Sequence, residues 1–347
     1  MDNITRNNHY VPQLYLRNWS KTSSKVWRYR LLVSHTNVPL WDHASIVSTG
    51  SFNDLYTYSD GESESDEFEQ WFNTEVEIPA NKVIAKVINN TLLSRKDFNV
   101  LSKYVAAQYV RTPARLHKQL EFYKNKLPAS IDVALNRAVK KLEMKIEKGE
   151  KIQVNNETDA ARFIPARVTI QRNTDNDDGW IKYETLLGRG VWLYEIRHVV
   201  ENTSRVLQNH HWQIIKVAPG AKWCTSDDPV ICLNYSGLNN YDFGGGWNRL
   251  NSEIILPLSP QHLLYTKVGS SSDDDILQEN PYYTFLFQKL IIEHAYRNIY
   301  SYSAFDSISA CRQRVVDYDT FNYEKDTWTK WYADQTSAER VLKNKLE

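Results

Sequence analysis

Apolar and polar residues change their spacing twice along this chain of 347 residues. Near the start, KVWRYRLLVS (25–34) alternates in steps of two and is rich in Val, Trp and Tyr, which predicts a strand. The stretch SIVSTGSFNDLYTYSDGESESDE (45–67) predicts a short strand, a turn and an acidic Ser/Gly loop at the surface. The spacing then lengthens to three and four. In 66–90, Phe68, Phe72, Val76, Pro79 and Val83 fall along one helical face. At roughly 100° per residue, Glu75 points into that apolar stripe. Pro79 is expected to break or kink the helix.

The next helix opens with SRKD (94–97), a capping box in which Asp replaces Glu. Its stripe runs through Phe98, Leu101, Val105 and Leu116, with Gln108 and Thr112 on it and Arg111 at its flank. Pro113 is expected to kink it. A third helix over 129–150 carries mixed charges and reads as a solvated outer face rather than a binding tract, and 153–163 as a linker or loop. A helix over 192–210 turns Leu193, Ile196, Val200 and Leu207 inward.

From there the period returns to two. HWQIIKVA and KWCTSDDPVICL flank Pro219–Gly220 and predict an antiparallel hairpin. SEIILPLSP and HLLYTKVG predict a second strand pair around SPQ. A helix over 280–296, a closing strand at RNIYSYS (297–303) and an appended helix in 321–347 complete the order. The fold class is α+β: an N-terminal β element, a helical middle and a C-terminal, mainly antiparallel sheet. One domain is expected over 1–320, with clasp and strands in 1–60, a mainly helical lobe in 61–210 and a mainly β lobe in 211–303.

Composition narrows the classes modestly. Lys+Arg and Asp+Glu both number 42, so no basic excess announces a nucleic-acid partner, although a local basic groove fits inside a neutral total. The 11 Trp and 21 Tyr suit cores, grooves and interfaces equally. Cys224, Cys232 and Cys311 lack metal-type spacing and read as free thiols of a reducing compartment. With no apolar run of 18 residues and no basic-then-apolar leader, the expectation is a cytoplasmic protein that meets no membrane.

Four residues are the candidates for chemistry. His9 heads NNHYVPQLYLRNW (7–19), where Tyr10, Val11, Pro12, Tyr15 and Leu16 would fix it by packing. It reads as a general base, a metal ligand or a hydrogen-bonded strut. Glu75, on an apolar stripe, must pair, bind metal or hold its proton, and Arg111 is its expected partner. Gln108 joins the same polar network. Asp227 and Asp228, in TSDDPV, read either as turn residues with Ser226 and Pro229 or as ligands of a divalent cation. His210 and His211 lack the i, i+4 spacing of zinc enzymes, and DFGGGWN (242–248) has no P-loop Lys.

Taken in order, HYVPQLYLRNW, RTP (111–113), CTSDDPV (224–230), ILPLSP ending at Pro260, and RNIYS (297–301) resemble the bacterial family of unknown function numbered 4238. Its members begin HHYVPQ-x-YL and later carry TSDNPV and PLSP. Asn8 stands here where many have a second His, and Asp228 where they have Asn. The resemblance implies a role in defence against phage, and no reaction. Two functional readings follow. In one, a defence effector hydrolyses phosphodiesters: Glu75, Asp227 and Asp228 hold Mg or Mn, His9 activates water, and Arg111 steadies phosphate. Tyr10, Gln108 and Ser226 would complete its binding surface, and nucleic acid would be its substrate. In the other, the chain is a non-catalytic binder of a phage or host protein.

Overall fold

The computed structural model describes residues 4–60, 63–151, 166–172 and 179–344. The fold is α+β as the periodicities predict, but the strands are distributed differently. The chain divides into two compact units, 1–114 with 196–332, and 115–195 with 333–347.

The first unit holds two larger antiparallel sheets. One has five strands in the order Gln213–Lys216, His262–Lys267, Ser252–Ser259, Ile231–Tyr235 and Tyr241–Asp242. The expected pair around SPQ forms, with Ile255 opposite Tyr265 and an irregularity between Pro257 and Ser259. The expected hairpin around Pro219–Gly220 does not. Gln213–Lys216 pairs with His262–Lys267, and Ile231–Tyr235 with Ser252–Ser259. The turn dipeptide reverses the chain, but burial chooses the partner: Ile254–Ser259 and His262–Tyr265 are buried throughout, so the middle strands pair with each other and leave the others to add outside.

The second sheet runs Thr225–Ser226, Asn298–Ser301, Lys25–Arg30 and Trp41–Ser45. The N-terminal β element is therefore not separate. It is zipped to RNIYS, which lies inside this sheet and closes nothing. The helix Pro281–His294 is started by Asn280, whose side chain accepts from Tyr282 N at 2.9 Å. Its Phe287 meets the rings of Trp223 and Tyr265.

The opening segment is a clasp. Tyr15, Leu16 and Trp19 are fully buried, and the Tyr15 hydroxyl, 2.6 Å from both Pro257 O and Thr225 Oγ1, ties the short helix Gln13–Arg17 to both sheets. Asn7–His9 pairs with Ser51–Asn53, and the N–H groups of Tyr10 and Val11 both bond Gly50 O. Gly50 has φ +67° and lies against Val11, so a side chain there would be strained and crowded.

Pro79 does not break its helix. Glu67–Phe72 continues through a π turn, Asn73–Glu77, into Ile78–Ile88. The π turn moves the ladder to i→i−5, with Ile78 N bonded to Asn73 O, and Pro79 sits in the first turn of the following α segment. The Ser94 capping box forms as read, Ser94 N to Asp97 Oδ2 at 2.9 Å and Asp97 N to Ser94 Oγ at 3.3 Å. The helix it starts ends at Val110, and a separate helix runs unbroken from Pro113 to Glu147 with Pro128 inside it. The segment 153–163, read as a linker, lies outside the described residues. The second unit also contains an antiparallel hairpin, Ala166–Arg172 with Gly179–Thr185. The helix Tyr318–Asn344 begins before the expected appendage and contributes buried Trp328 and Trp331 to the first unit.

Candidate functional site

The residues singled out by sequence fall into a polar knot within the first unit, with one exception. Arg111, directly after the helix Arg95–Val110, is wholly buried. Its Nε donates to Tyr10 O at 3.0 Å and its Nη1 to Glu77 Oε1 at 2.8 Å. With its amide oxygen turned to the guanidinium, Gln108 accepts from Nη2 at 2.7 Å. The Phe72 ring lies 4.8 Å from the guanidinium carbon, and Tyr56 donates its hydroxyl to Arg111 O at 3.0 Å. A buried guanidinium is tolerable because it is paired and its donors are used.

Glu77, not Glu75, is the partner. Glu75 is 58% exposed at its side chain and lies 3.7 Å from Lys103, whereas Glu77 is 14% exposed. The reason is the π turn. Its wider pitch carries the buried line from Phe72 and Val76 to Ala80, so phasing at 3.6 residues per turn misplaces Glu75. Glu69, about two turns earlier, was not singled out by sequence. Burial, with the Glu77 charge nearby, pushes its carboxyl up to about 8.

His9 enters this knot from the opposite side. It is 5% exposed, and burial lowers its pKa. The Glu77 and Arg111 charges both act on it, and a Glu69 oxygen faces the His9 backbone N–H. His9 Nε2 and Glu69 Oε2 are buried atoms without a hydrogen-bond partner among the described residues. Asn8, where relatives carry a second His, ties two loops together, accepting from Tyr56 N at 3.1 Å and donating to Thr5 O at 3.0 Å.

Asp227 lies beyond Tyr10, which is itself buried and under the influence of Asp227 and Tyr300. Asp227 is 2% exposed, and its two oxygens receive the N–H groups of Tyr296, Arg297 and Asn298 at 2.9–3.1 Å and the Asn298 amide at 3.1 Å. Burial raises its pKa to about 6 against those donors. The carbonyls of the same stretch are held from outside: Arg312 donates to those of Glu293, Ala295 and Tyr296. Asp228 Oδ1 accepts from Thr112 Oγ1 at 3.0 Å, its Oδ2 lies 3.8 Å from His294 Nε2, and its N–H donates to buried Ser226 Oγ at 3.2 Å. Donors converging on both Asp227 oxygens fit an anchored anion, not a cation ligand. Among the described residues, no group of three or more His, Cys, Asp or Glu side chains is arranged to hold a metal ion, and Glu75 is not brought to Asp227.

The family model described as "Protein of unknown function (DUF4238)" matches residues 7–305. This chain belongs to that family. No curated protein and no solved structure matches it. The DUF4238 match spans every residue of the knot, from His9 to Asn298. Glu69, Glu77, His294 and Asn298 are the members of the DUF4238 knot that sequence reasoning missed. A helical phase corrected for the π turn would have found Glu77, and Asn298 lies inside the RNIYS motif; nothing local marks Glu69 or His294.

Titratable groups also meet solvent elsewhere in the DUF4238 chain. A shallow groove beside Gln213–Lys216, with adjoining hollows of about 400 and 450 Å³, is lined by Phe98, His211 and Trp212. His211 Nε2 lies 2.8 Å from Asp273 Oδ1 at its rim, with both side chains exposed. No helix among the described residues is long and apolar enough to cross a membrane.

Proposed function

We propose that this chain is a binding protein of antiviral defence, and that the motifs it shares with its family serve the fold. The observation that carries this reading is the burial of His9, Arg111 and Asp227, with the Arg111 guanidinium paired to Glu77 and the Asp227 carboxylate held by backbone N–H groups. A substrate needs open access to a base and a cation site, and these side chains offer neither. Their arrangement suits cross-linking: Arg111 joins the opening segment to the helical part, and Asp227 clamps the turn leading into the Asn298–Ser301 strand.

A second reading has one observation in its favour. His9 Nε2 and Glu69 Oε2, partnerless and buried beside Arg111, make the polar spot where a phosphodiesterase would do its chemistry if the clasp opened. Mg or Mn would be its cofactor.

Phage plaque counts on cells carrying wild type, His9→Gln, Glu69→Gln, Asp227→Ala and Glu75→Ala, with soluble protein measured for each, separate the two. Binding predicts that protection follows soluble protein level, with Glu75→Ala equal to wild type. Loss of protection by His9→Gln and Glu69→Gln at normal protein level, together with Mg²⁺- or Mn²⁺-dependent cleavage by purified wild type that both variants lack, would establish the enzyme instead.

A further inference from the structure

The helix Pro113–Glu147 carries eight Lys/Arg and four Asp/Glu. From Lys126 to Glu147, all the charged residues but Lys145 separate by sign. At 3.6 residues per turn, Lys126, Arg137, Lys140 and Lys141 fall within one sector about 100° wide. Glu121, Asp132, Glu143 and Glu147 fall in a second, about 80° wide. A third sector holds Leu127, Ile131, Leu135 and Leu142. All four residues of the basic sector are exposed, and no ion pair holds any of them among the described residues. From Pro128 to Glu147 the helix is exposed on nearly every side; only Ile131, Leu135 and Lys145 are half-buried.

A chain that merely solvates a long helix gains from alternating charges, since i, i+4 pairs of opposite sign stabilise it. Segregation forgoes that gain and builds a positive stripe. From Lys126 to Lys141 the stripe extends about 22 Å at 1.5 Å per residue, the length of about six base pairs.

We propose that this face binds duplex nucleic acid through its phosphates, without reading sequence. The inference rests on the binding reading above and names the partner class. Charge complementarity selects the occupant: the phosphates of a duplex match cations gathered on one side of a helix, and no Asn or Gln lies in that sector between Lys126 and Lys141 to read adenine. Four phosphate contacts give a slope of log Kobs against log salt of about −3.6 on a DNA duplex.

The test is fluorescence anisotropy of a labelled 20-base-pair DNA duplex with the full chain, titrated at 50 to 200 mM NaCl. The expected result is binding that weakens about 100-fold across that range. Arg137→Glu with Lys141→Glu should cut affinity at least tenfold and lower the slope by about two. The neutral pair Arg137→Gln with Lys141→Gln should fall between, and Asp132→Asn with Glu143→Gln should not weaken binding. Circular dichroism confirms that each variant keeps its helix. No binding at 50 mM NaCl overturns the proposal, as does a slope that the reversed pair leaves unchanged. Binding to phosphatidylserine vesicles but not to the duplex also overturns it. Cleavage of the bound duplex would support the face and overturn only the non-catalytic reading.

Discussion

Arg111 and Arg137 are the same residue type in opposite circumstances. Arg111 has no exposed surface, and its guanidinium is shared among Tyr10 O, Glu77 and Gln108 over the Phe72 ring. Arg137 sits on an exposed helix with no ion-pair partner among the described residues. A buried cation must be matched by fixed acceptors, and removing it leaves those acceptors stranded; an exposed one is matched by water and is free to meet something else. The knot therefore specifies the fold, and the helix leaves its charge available. Motif residues shared across a family need not be the ones that meet a partner.

The comparison breaks most visibly at Arg111. Arg111→Ala should cost about 3–5 kcal/mol, because Glu77 loses its cation and Tyr10 O and Gln108 lose a donor in a dry setting. Arg137→Ala should stay within about 0.5 kcal/mol. Urea unfolding of both variants against wild type measures the pair. Equal midpoints for the two would show that the knot does not hold the structure.

Asp227→Ala comes next. The N–H groups of Tyr296, Arg297 and Asn298 would lose their acceptor inside the protein, an expected loss of about 2–3 kcal/mol. Asp227→Asn keeps one acceptor oxygen but turns an amide N–H₂ toward other donors, and should recover only part of it. Hydrogen exchange at residues 296–298 reports the change locally: protection should fall there before it falls in the Ser252–Ser259 strand.

Local features of this design were legible in the chain, and non-local ones were not. The Ser94 box, the strand pair around SPQ and the helix after Asn280 depend on neighbours within a few residues, and all three form. The pairing of Lys25–Arg30 with Asn298–Ser301 joins segments some 270 residues apart and leaves no periodic trace in either. Arg111 and Asp227 could be named from motif position, but their partners could not. Glu77 is hidden by the π turn, and the three N–H groups that hold Asp227 belong to backbone, which carries no sequence signature.

Glu69 makes the knot pH-dependent, with a sign that can be worked out. Its carboxyl is raised to about 8 by burial, so the folded state holds a proton that the unfolded chain releases near 4.5. The stability this contributes is complete below 4.5 and is lost as pH rises through 8. Asp227, raised to about 6, acts in the same direction between 3.8 and 6. His9 opposes both below 6.5, since burial lowers its pKa and protonation favours the unfolded chain. Of these three groups only Glu69 is left changing above pH 6.5; Glu195, raised by burial to about 7, adds a change of the same sign that Glu69→Gln leaves in place. Unfolding midpoints should fall between pH 6.5 and 8.5 for wild type and stay flatter for Glu69→Gln. A wild-type profile as flat as the variant's would mean that Glu69 is already ionised at pH 6.5 and that its oxygen has a donor.

The smallest expected effect is at Glu75, and its smallness is informative. Were the helix regular from Phe68 to Val83, Glu75 would lie in the apolar stripe, and its removal would disturb a buried charge. The π turn instead leaves it more than half exposed, 3.7 Å from a Lys103 that is itself partly in water. Exposed pairs of this kind contribute about 0–1 kcal/mol. Glu75→Ala should therefore shift the urea midpoint by less than about 0.5 kcal/mol equivalent, while Glu77→Ala, two residues on, should cost several times more by stranding Arg111. Only a helix that changes pitch between Phe72 and Ile78 gives that ratio. Equal costs would mean that the turn is α-helical in solution and that Glu75 shares the guanidinium.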